Sequence, residues 1–408
     1  MIRTICKMKK IITFSWVLLS ACFMYAQPAE DFLLKAKALN ETGKPEQAIK
    51  ILDGALTEKK EYRIYSQRAE SNILKGDYSA AIADLNEANR INPASGEYGL
   101  ARVYALKGDA STALYHLELN LNSQYKEPEK AVMLDPAFST MENKQEWRQF
   151  WKKEWYSIPE KSISEIEYYI SAGKTEESKE VLVELKKNYD EISPDIIYAE
   201  SLVGLGSGKF PEVIKMMSGL TNSNPGNEKY LRLLAKAQTG ASDPAGASAT
   251  YTTLINSGVA DAELLMMRAE SYRKTGETDK ALSDIKRYLN IYPENSSALS
   301  LAGKVEARSG DNLQALQYFS ENLKIHPNDP ECYVDRADAY FVSKSWSMAI
   351  NDYSMSLDLK PGNSDAWLNK GIALLNSGKT EDACHDFRRS FSLGNKRVTE
   401  YISRYCIK

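Results

Sequence analysis

Small and apolar residues recur along this chain with a period of 34 residues. Val213, Ala247, Ala281, Ala315, Ala349 and Ala383 stand one period apart. Pro225, Pro293, Pro327 and Pro361 fall on the same interval, and Val259 holds the one slot between them that lacks proline. Gly276, Gly310 and Gly378 are in step as well. Within a period the apolar positions spell two short helices. Trp367, Gly371 and Leu374 lie at steps of four and three, Gly378 interrupts, and Ala383 and Phe387 resume the helical spacing. A fixed period of this length predicts stacked copies of one helix-turn-helix unit, each burying its apolar face against its neighbours.

Each copy resembles the tetratricopeptide repeat. That pattern has an aromatic, a small residue four on, an apolar residue three on, then Ala and an aromatic in the second helix, then Pro. Tyr333, Ala337, Tyr340, Ala349, Tyr353 and Pro361 show it in one copy, and the resemblance covers nearly all of the mature chain. The residue types have physical reasons. Ala36, Ala69, Ala101, Ala235, Ala269, Gly303, Ala337 and Gly371 on the first helix let the second approach closely. The Gly between the helices, such as Gly276, permits the left-handed conformation that ends the first one. Ten copies are counted, anchored at Ala48, Ala81, Ala113, Ser178, Val213, Ala247, Ala281, Ala315, Ala349 and Ala383. Ser178 and Val213 depart from the small-apolar rule. The expected fold is an all-α, right-handed tetratricopeptide repeat superhelix of about ten repeats with a C-terminal capping helix, forming one elongated array.

The chain divides accordingly. Residues 1–26 read as a signal peptide: Lys9 and Lys10 precede an apolar run from Ile11 to Ala26 that is too short and wrongly flanked for a membrane span. Residues 27–121 hold copies one to three, and 122–158 form an irregular helical connector rich in tryptophan. Residues 159–395 hold copies four to ten, and 396–408 the capping helix. Two processing readings stand side by side. Cleavage after Ala26 leaves Gln27 first, although Met24 suits that site poorly. Leu19-Ser20-Ala21-Cys22 resembles a lipobox, which would end the signal at residue 21 and put lipid on Cys22.

The whole chain of 408 residues carries a net charge of −3, with charged residues at 26%. Removing the leader takes away Arg3, Lys7, Lys9 and Lys10 and no acid, so the mature array is more acidic still. Charges of both signs are interspersed, which argues against a nucleic-acid partner.

Candidate side chains follow from the repeat. Arg68, Arg268 and Arg336 occupy the seventh position of their copies, and Asp84, Asp284 and Asp352 follow each by sixteen residues; Lys370 and Asp386 repeat the relation. An ion pair between the two helices of one repeat is favoured over a charged binding groove. Trp147, Trp151 and Trp155 recur at steps of four, with Phe150 and Tyr156 nearby, where the register breaks. They are read either as a plug for the joint or as a partner-binding aromatic patch. Gly204-Leu-Gly-Ser-Gly208-Lys209 is one residue short of a phosphate loop and has Phe210 where Ser or Thr is needed. His116, His326 and His385 are scattered, and no metal-ligand spacing occurs, so neither metal nor cofactor is expected. No nucleophile–base set can be assembled, and the chain is not read as an enzyme.

The resemblance implies a concave face made by the first helix of each repeat. In the central copies this face would carry Lys229, Arg232, Lys236, Met266, Met267, Glu270, Lys304, Arg308, Asp335 and Asp338. Asn369 fills one slot of a carboxylate clamp, but the Lys and Arg partners are missing. Finally, Cys384 and Cys406 are each eleven residues from Asn395, at the turn before the capping helix. Residues equidistant from a turn lie side by side in an antiparallel pair, which predicts a Cys384–Cys406 disulfide with Cys332 left reduced. The expected function is an exported scaffold, in the periplasm or at the outer membrane of a Gram-negative bacterium, that binds a peptide or an envelope protein. The alternatives are a lipid-anchored accessory subunit of an outer-membrane assembly and a non-catalytic or sensor subunit of an enzyme system. Contact with a membrane is expected only through lipid on Cys22.

Overall fold

The computed structural model describes residues 29–190 and 192–407, so the signal segment and Cys22 lie outside the described residues. Three antiparallel helix pairs come first: α1 (Ala29–Glu41) with α2 (Pro45–Glu58), α3 (Tyr62–Lys75) with α4 (Tyr78–Ile91), and α5 (Glu97–Leu106) with α6 (Ala110–Leu121). A connector follows, with two short helices, α7 (Glu129–Leu134) and α8 (Gln145–Phe150). The array resumes with α9 (Ile158–Ser171) and α10 (Thr175–Asn188), α11 (Pro194–Gly206) and α12 (Phe210–Ser223), and α13 (Glu228–Gly240) and α14 (Pro244–Asn256). It ends with α15 (Glu263–Thr275) and α16 (Thr278–Leu289), α17 (Ser296–Ser309) and α18 (Asn312–Ile325), α19 (Pro330–Val342) and α20 (Trp346–Leu359), and α21 (Ser364–Asn376) and α22 (Thr380–Ser392). These ten pairs, repeats 1 to 10, stack as a right-handed superhelix without strands among the described residues.

The repeat positions act as the spacing requires. All ten anchors, Ser178 and Val213 included, are buried to within 1%. At Gly371 an added Cβ would come within 2.6 Å of the Phe387 ring, so hydrogen is the only side chain the approach allows without displacing that ring. Gly276 turns the chain between helices at φ +83°. Repeats 6 and 9 have no Gly at that turn, and Ser242 and Lys344 take the left-handed conformation instead, at φ 57° and 58°. The period also hides a second signal. Two residues after Pro225, Pro293, Pro327 and Pro361 stand Asn227, Asn295, Asp329 and Asn363, and each side chain caps the helix that follows.

Three expectations need correction. The tryptophans do not form one helical stripe, because α8 stops at Phe150. The Trp155 indole N–H donates to the Phe150 carbonyl at 2.9 Å and takes the acceptor that another helical turn would have used. The capping element is not a plain α-helix: a 3₁₀ turn (Lys396–Val398), one α turn (Thr399–Tyr401) and a π turn (Ile402–Cys406) succeed one another. The array, finally, is not simply extended. It curls until repeat 1 touches repeat 7: Asp31 on α1 meets Arg287 on α16 at 2.5 Å, and Leu34 joins the apolar cluster of repeat 7.

Candidate partner-binding surface

The Arg–Asp pairs are built into the walls of the array. Arg68 Nη2 lies 2.5 Å from Asp84 Oδ1, and Arg268 Nη2 lies 2.7 Å from Asp284 Oδ1. Arg336 Nε lies 2.7 Å from Asp352 Oδ2, and each of these arginines also bonds the second carboxylate oxygen, in the fork-on-fork manner of a strong charge-assisted pair. The three carboxylates are buried. The forks reach further than one repeat. Arg68 Nη1 donates to Asp53 of the preceding repeat at 2.6 Å, and Arg268 Nη1 donates to Thr252 of the preceding repeat at 3.1 Å. Guanidinium groups committed to these partners leave little for a ligand. In repeat 10 Lys370 sits 3.2 Å from Asp386, whose pKa is raised by burial despite that neighbour.

The tryptophans gather in the connector without sharing a helix. Trp147 is buried, and Trp151 and Trp155 are half-buried against the same cluster. Trp155 stacks on Phe150 with centroids 4.6 Å apart, and Phe138 stacks on Trp147 at 5.4 Å. The Tyr156 hydroxyl donates to the Glu127 carbonyl at 2.7 Å. This cluster fills the place where α6 would have met the next repeat.

On the concave side the candidate residues separate into two groups. Met266, Met267, Glu270 and Lys304 line one groove of about 610 Å³ across repeats 6 to 8, together with Tyr251, Leu301 and Lys274. Met267 is 44% exposed, enough for its thioether to meet a ligand. Arg273 pairs with Glu270 at 2.7 Å, which holds the Glu270 carboxyl below the usual range, chiefly through that hydrogen bond. Lys229, Arg232 and Lys236 do not enter this groove. The Lys229 ammonium lies 4.0 Å from the centre of the Tyr198 ring. Arg232 is held by Glu228 at 2.7 Å and Asp261 at 2.9 Å, and Lys236 is exposed. Asp338 accepts a hydrogen bond from Tyr353, and burial raises its pKa. Asn369, the lone clamp-like residue, lies 3.5 Å from that same carboxylate.

The array ends in a covalent staple. Cys384 and Cys406 are joined, with Cα atoms 5.5 Å apart, while Cys332 is a buried free thiol. Among the described residues no helix is long and apolar enough to cross a membrane, and no three His, Cys, Asp or Glu side chains gather as a metal site.

Repeated helix pairs of this length, with these buried anchors, define an α-helical repeat scaffold. Family profiles described as tetratricopeptide repeat match residues 62–95, 232–296, 266–330 and 352–385, and the chain carries tetratricopeptide repeats there. Among individual proteins it is similar to DnaJ homolog subfamily C member 3 of Gallus gallus, 28% identical over 144 residues. That match spans 32% of this chain and 29% of the relative. Among solved structures it is similar to a tetratricopeptide repeat protein from Parabacteroides merdae, at 19% identity and a TM-score of 0.49, over 61% of this chain and 99% of that one. It is also similar to YrrB, described as a tetratricopeptide repeat protein with an unusual peptide-binding site, at 15% identity and a TM-score of 0.36, over 46% of this chain and 97% of that one.

Proposed function

We propose that this protein is an exported scaffold that binds an extended peptide segment of another protein in the concave groove of repeats 6 to 8. The observation that carries this reading is the groove itself. Its floor is Tyr251, Met266, Met267 and Leu301, and its rim carries Lys274, Arg273 and Lys304 around Glu270. Unbranched thioethers adapt to varied side chains, and the cationic rim favours a segment that combines apolar with acidic residues. Binding, rather than a reaction, is the role assigned. The leader at 1–26 supports delivery to the periplasm or outer membrane, and the Leu19–Cys22 sequence supports a lipid-anchored form in an outer-membrane assembly.

A photo-crosslinker at position 267, installed in the producing cell, tests the site. A discrete crosslinked partner that disappears when Met266 is changed to Glu supports the groove. Unchanged crosslinking in that variant defeats it. Fractionation of cells, followed by intact-mass measurement, tests export: a mature mass starting at Gln27 or a diacylated mass starting at Cys22 supports it, and an uncleaved cytoplasmic chain defeats it.

A further inference from the structure

The turn between repeats 6 and 7 departs from its counterparts. Where the corresponding turns of repeats 5, 7, 8 and 9 have proline, it has Val259, in the sequence Ser257-Gly-Val-Ala-Asp261. Gly258 is left-handed at φ +80°. The turn is half-buried, yet its cover comes from the far end of the chain. Arg63, on α3 of repeat 2, donates through Nη1 to the Gly258 carbonyl, across 195 residues of sequence. An added Cβ at Gly258 would crowd that guanidinium, and the left-handed backbone there favours glycine. Ala260 packs on the apolar cluster of repeat 1.

The surface receiving this turn is the concave face of repeats 1 and 2. Leu33, Lys37, Ser66, Gln67 and Glu70 occupy, on α1 and α3, the same repeat positions that Arg232, Lys236, Met266, Met267 and Glu270 occupy on α13 and α15, and Arg63 stands where Lys229 and Glu263 do. They line a cleft of about 970 Å³ whose opposite wall is the Ser257–Asp261 turn. Buried hydroxyls of Ser66 and Ser95 in this cleft have no hydrogen-bond partner among the described residues. Around the turn the seam is fastened at α1. Asp31, buried, pairs with Arg287 at 2.5 Å, Glu41 accepts from the Tyr292 hydroxyl at 3.0 Å, and Leu34 is buried in the repeat 7 cluster. Stacking along the chain does not impose this contact, because α6 packs on the connector, whose irregular course stands between repeats 3 and 4. Repeats 1 to 3 are therefore tied to repeats 6 and 7 chiefly by the seam.

We infer that the Ser257–Asp261 turn is an internal ligand: it occupies the concave face of repeats 1 and 2 as an external peptide would, and the seam keeps that face closed until it opens. The recognised chemistry is a glycine-centred turn that offers a backbone carbonyl to Arg63 and a small apolar side chain to the wall of repeat 1. An outside segment of the same chemistry competes for this face. The site uses different residues from the groove of repeats 6 to 8 and stands or falls separately from it.

The test uses the full mature chain. Leu34→Asp puts a carboxylate into the seam without touching the cluster that holds α1 on α2. Its radius of gyration by small-angle scattering should rise, and amides 257–261 should exchange roughly tenfold faster or more. Asp31→Arg and Arg287→Asp should each do the same, and the double charge swap should restore both readings. A labelled, end-blocked peptide of residues 254–263 should bind the opened variants and not the parent chain. Single variants that leave radius and exchange unchanged overturn the inference. So do opened variants, folded by far-UV spectrum, that fail to bind the peptide. If one variant does not fold, Gly258→Ala, on the other side of the seam, provides the same readings.

Discussion

At Arg268 one guanidinium bonds the buried Asp284 carboxylate through two nitrogens and Thr252 of the neighbouring repeat through the third. Removing the acid leaves a mostly buried cation without its partner. We expect Asp284→Ala to lower stability by about 3 kcal/mol, read as a shift of the urea midpoint, and groove binding to be unaffected. Asp386 should behave differently. Burial raises its pKa above the ordinary 3.8, so the folded chain holds that proton more tightly than the unfolded chain does. Its contribution favours folding at low pH and is lost as pH rises through the folded-state value. Asp386→Asn removes this dependence. Relative to the parent chain, the variant should gain stability between about pH 4 and about pH 7. Urea midpoints at the two pH values decide the point, and a relative loss with rising pH would contradict it. The sixteen-residue offset made the pairs visible in the sequence, because two helices joined by a fixed turn always bring those positions together. The bonds to Asp53 and Thr252 were not visible, since they depend on how one repeat lies on the next.

Helix ends show the same division at the next scale. Ser242 and Lys344 hold left-handed backbone that costs an ordinary side chain about 1 kcal/mol. Ser242→Gly and Lys344→Gly should each change stability by up to about +1 kcal/mol, part of the relief being lost to the freer unfolded chain, while Gly276→Ala should lose about 1 kcal/mol. The Cβ of that alanine meets nothing within 4 Å, so the loss isolates the backbone effect. Thermal denaturation of the three variants under one set of conditions gives the comparison. The C-terminal turns rely on different support. Val398 is buried and the Tyr401 ring lies 5.1 Å from Phe387, but this segment is short and the Cys384–Cys406 bond closes 22 residues around it. Cys406→Ser should cost about 3 kcal/mol locally. Hydrogen exchange should then quicken over 396–406 and the end of α22 while repeats 1 to 8 keep their protection; uniform protection would show the staple to be dispensable.

At the scale of the whole molecule, the connector and the seam turn a one-dimensional stack into a closed one. A plain array of repeats transmits stability only between neighbours. Here the aromatic cluster of Trp147, Phe138 and Phe150 joins α5 and α6 to the connector, and the seam joins repeat 1 to repeat 7. Trp147→Ala empties a buried site and should cost about 3–5 kcal/mol. The loss should appear first in repeats 1 to 3, as early protease cleavage there, with the groove of repeats 6 to 8 still competent. If partner capture fails while the fold is intact, the cluster is an interface and not a plug.

The period of 34, the small anchors, the Gly turns and the Asn or Asp caps two residues after the prolines are local properties. They depend on 3.6 residues per turn and on side chains within one or two helices, and the ten repeats were therefore legible from the chain alone. So was the disulfide, because one antiparallel turn fixes which residues face each other. The division of the concave residues was not legible. Met266 and Met267 share a groove with Tyr251 and Leu301, while Arg232 turns to Asp261, and only the stacking angle between repeats decides this. Least legible was the meeting of Asp31 with Arg287, separated by 256 positions. Small rotations at each interface accumulate along a superhelix, and the irregular connector adds one that no period describes. Where the two ends of such a curve meet is set by the sum of those rotations, which only the tertiary structure contains.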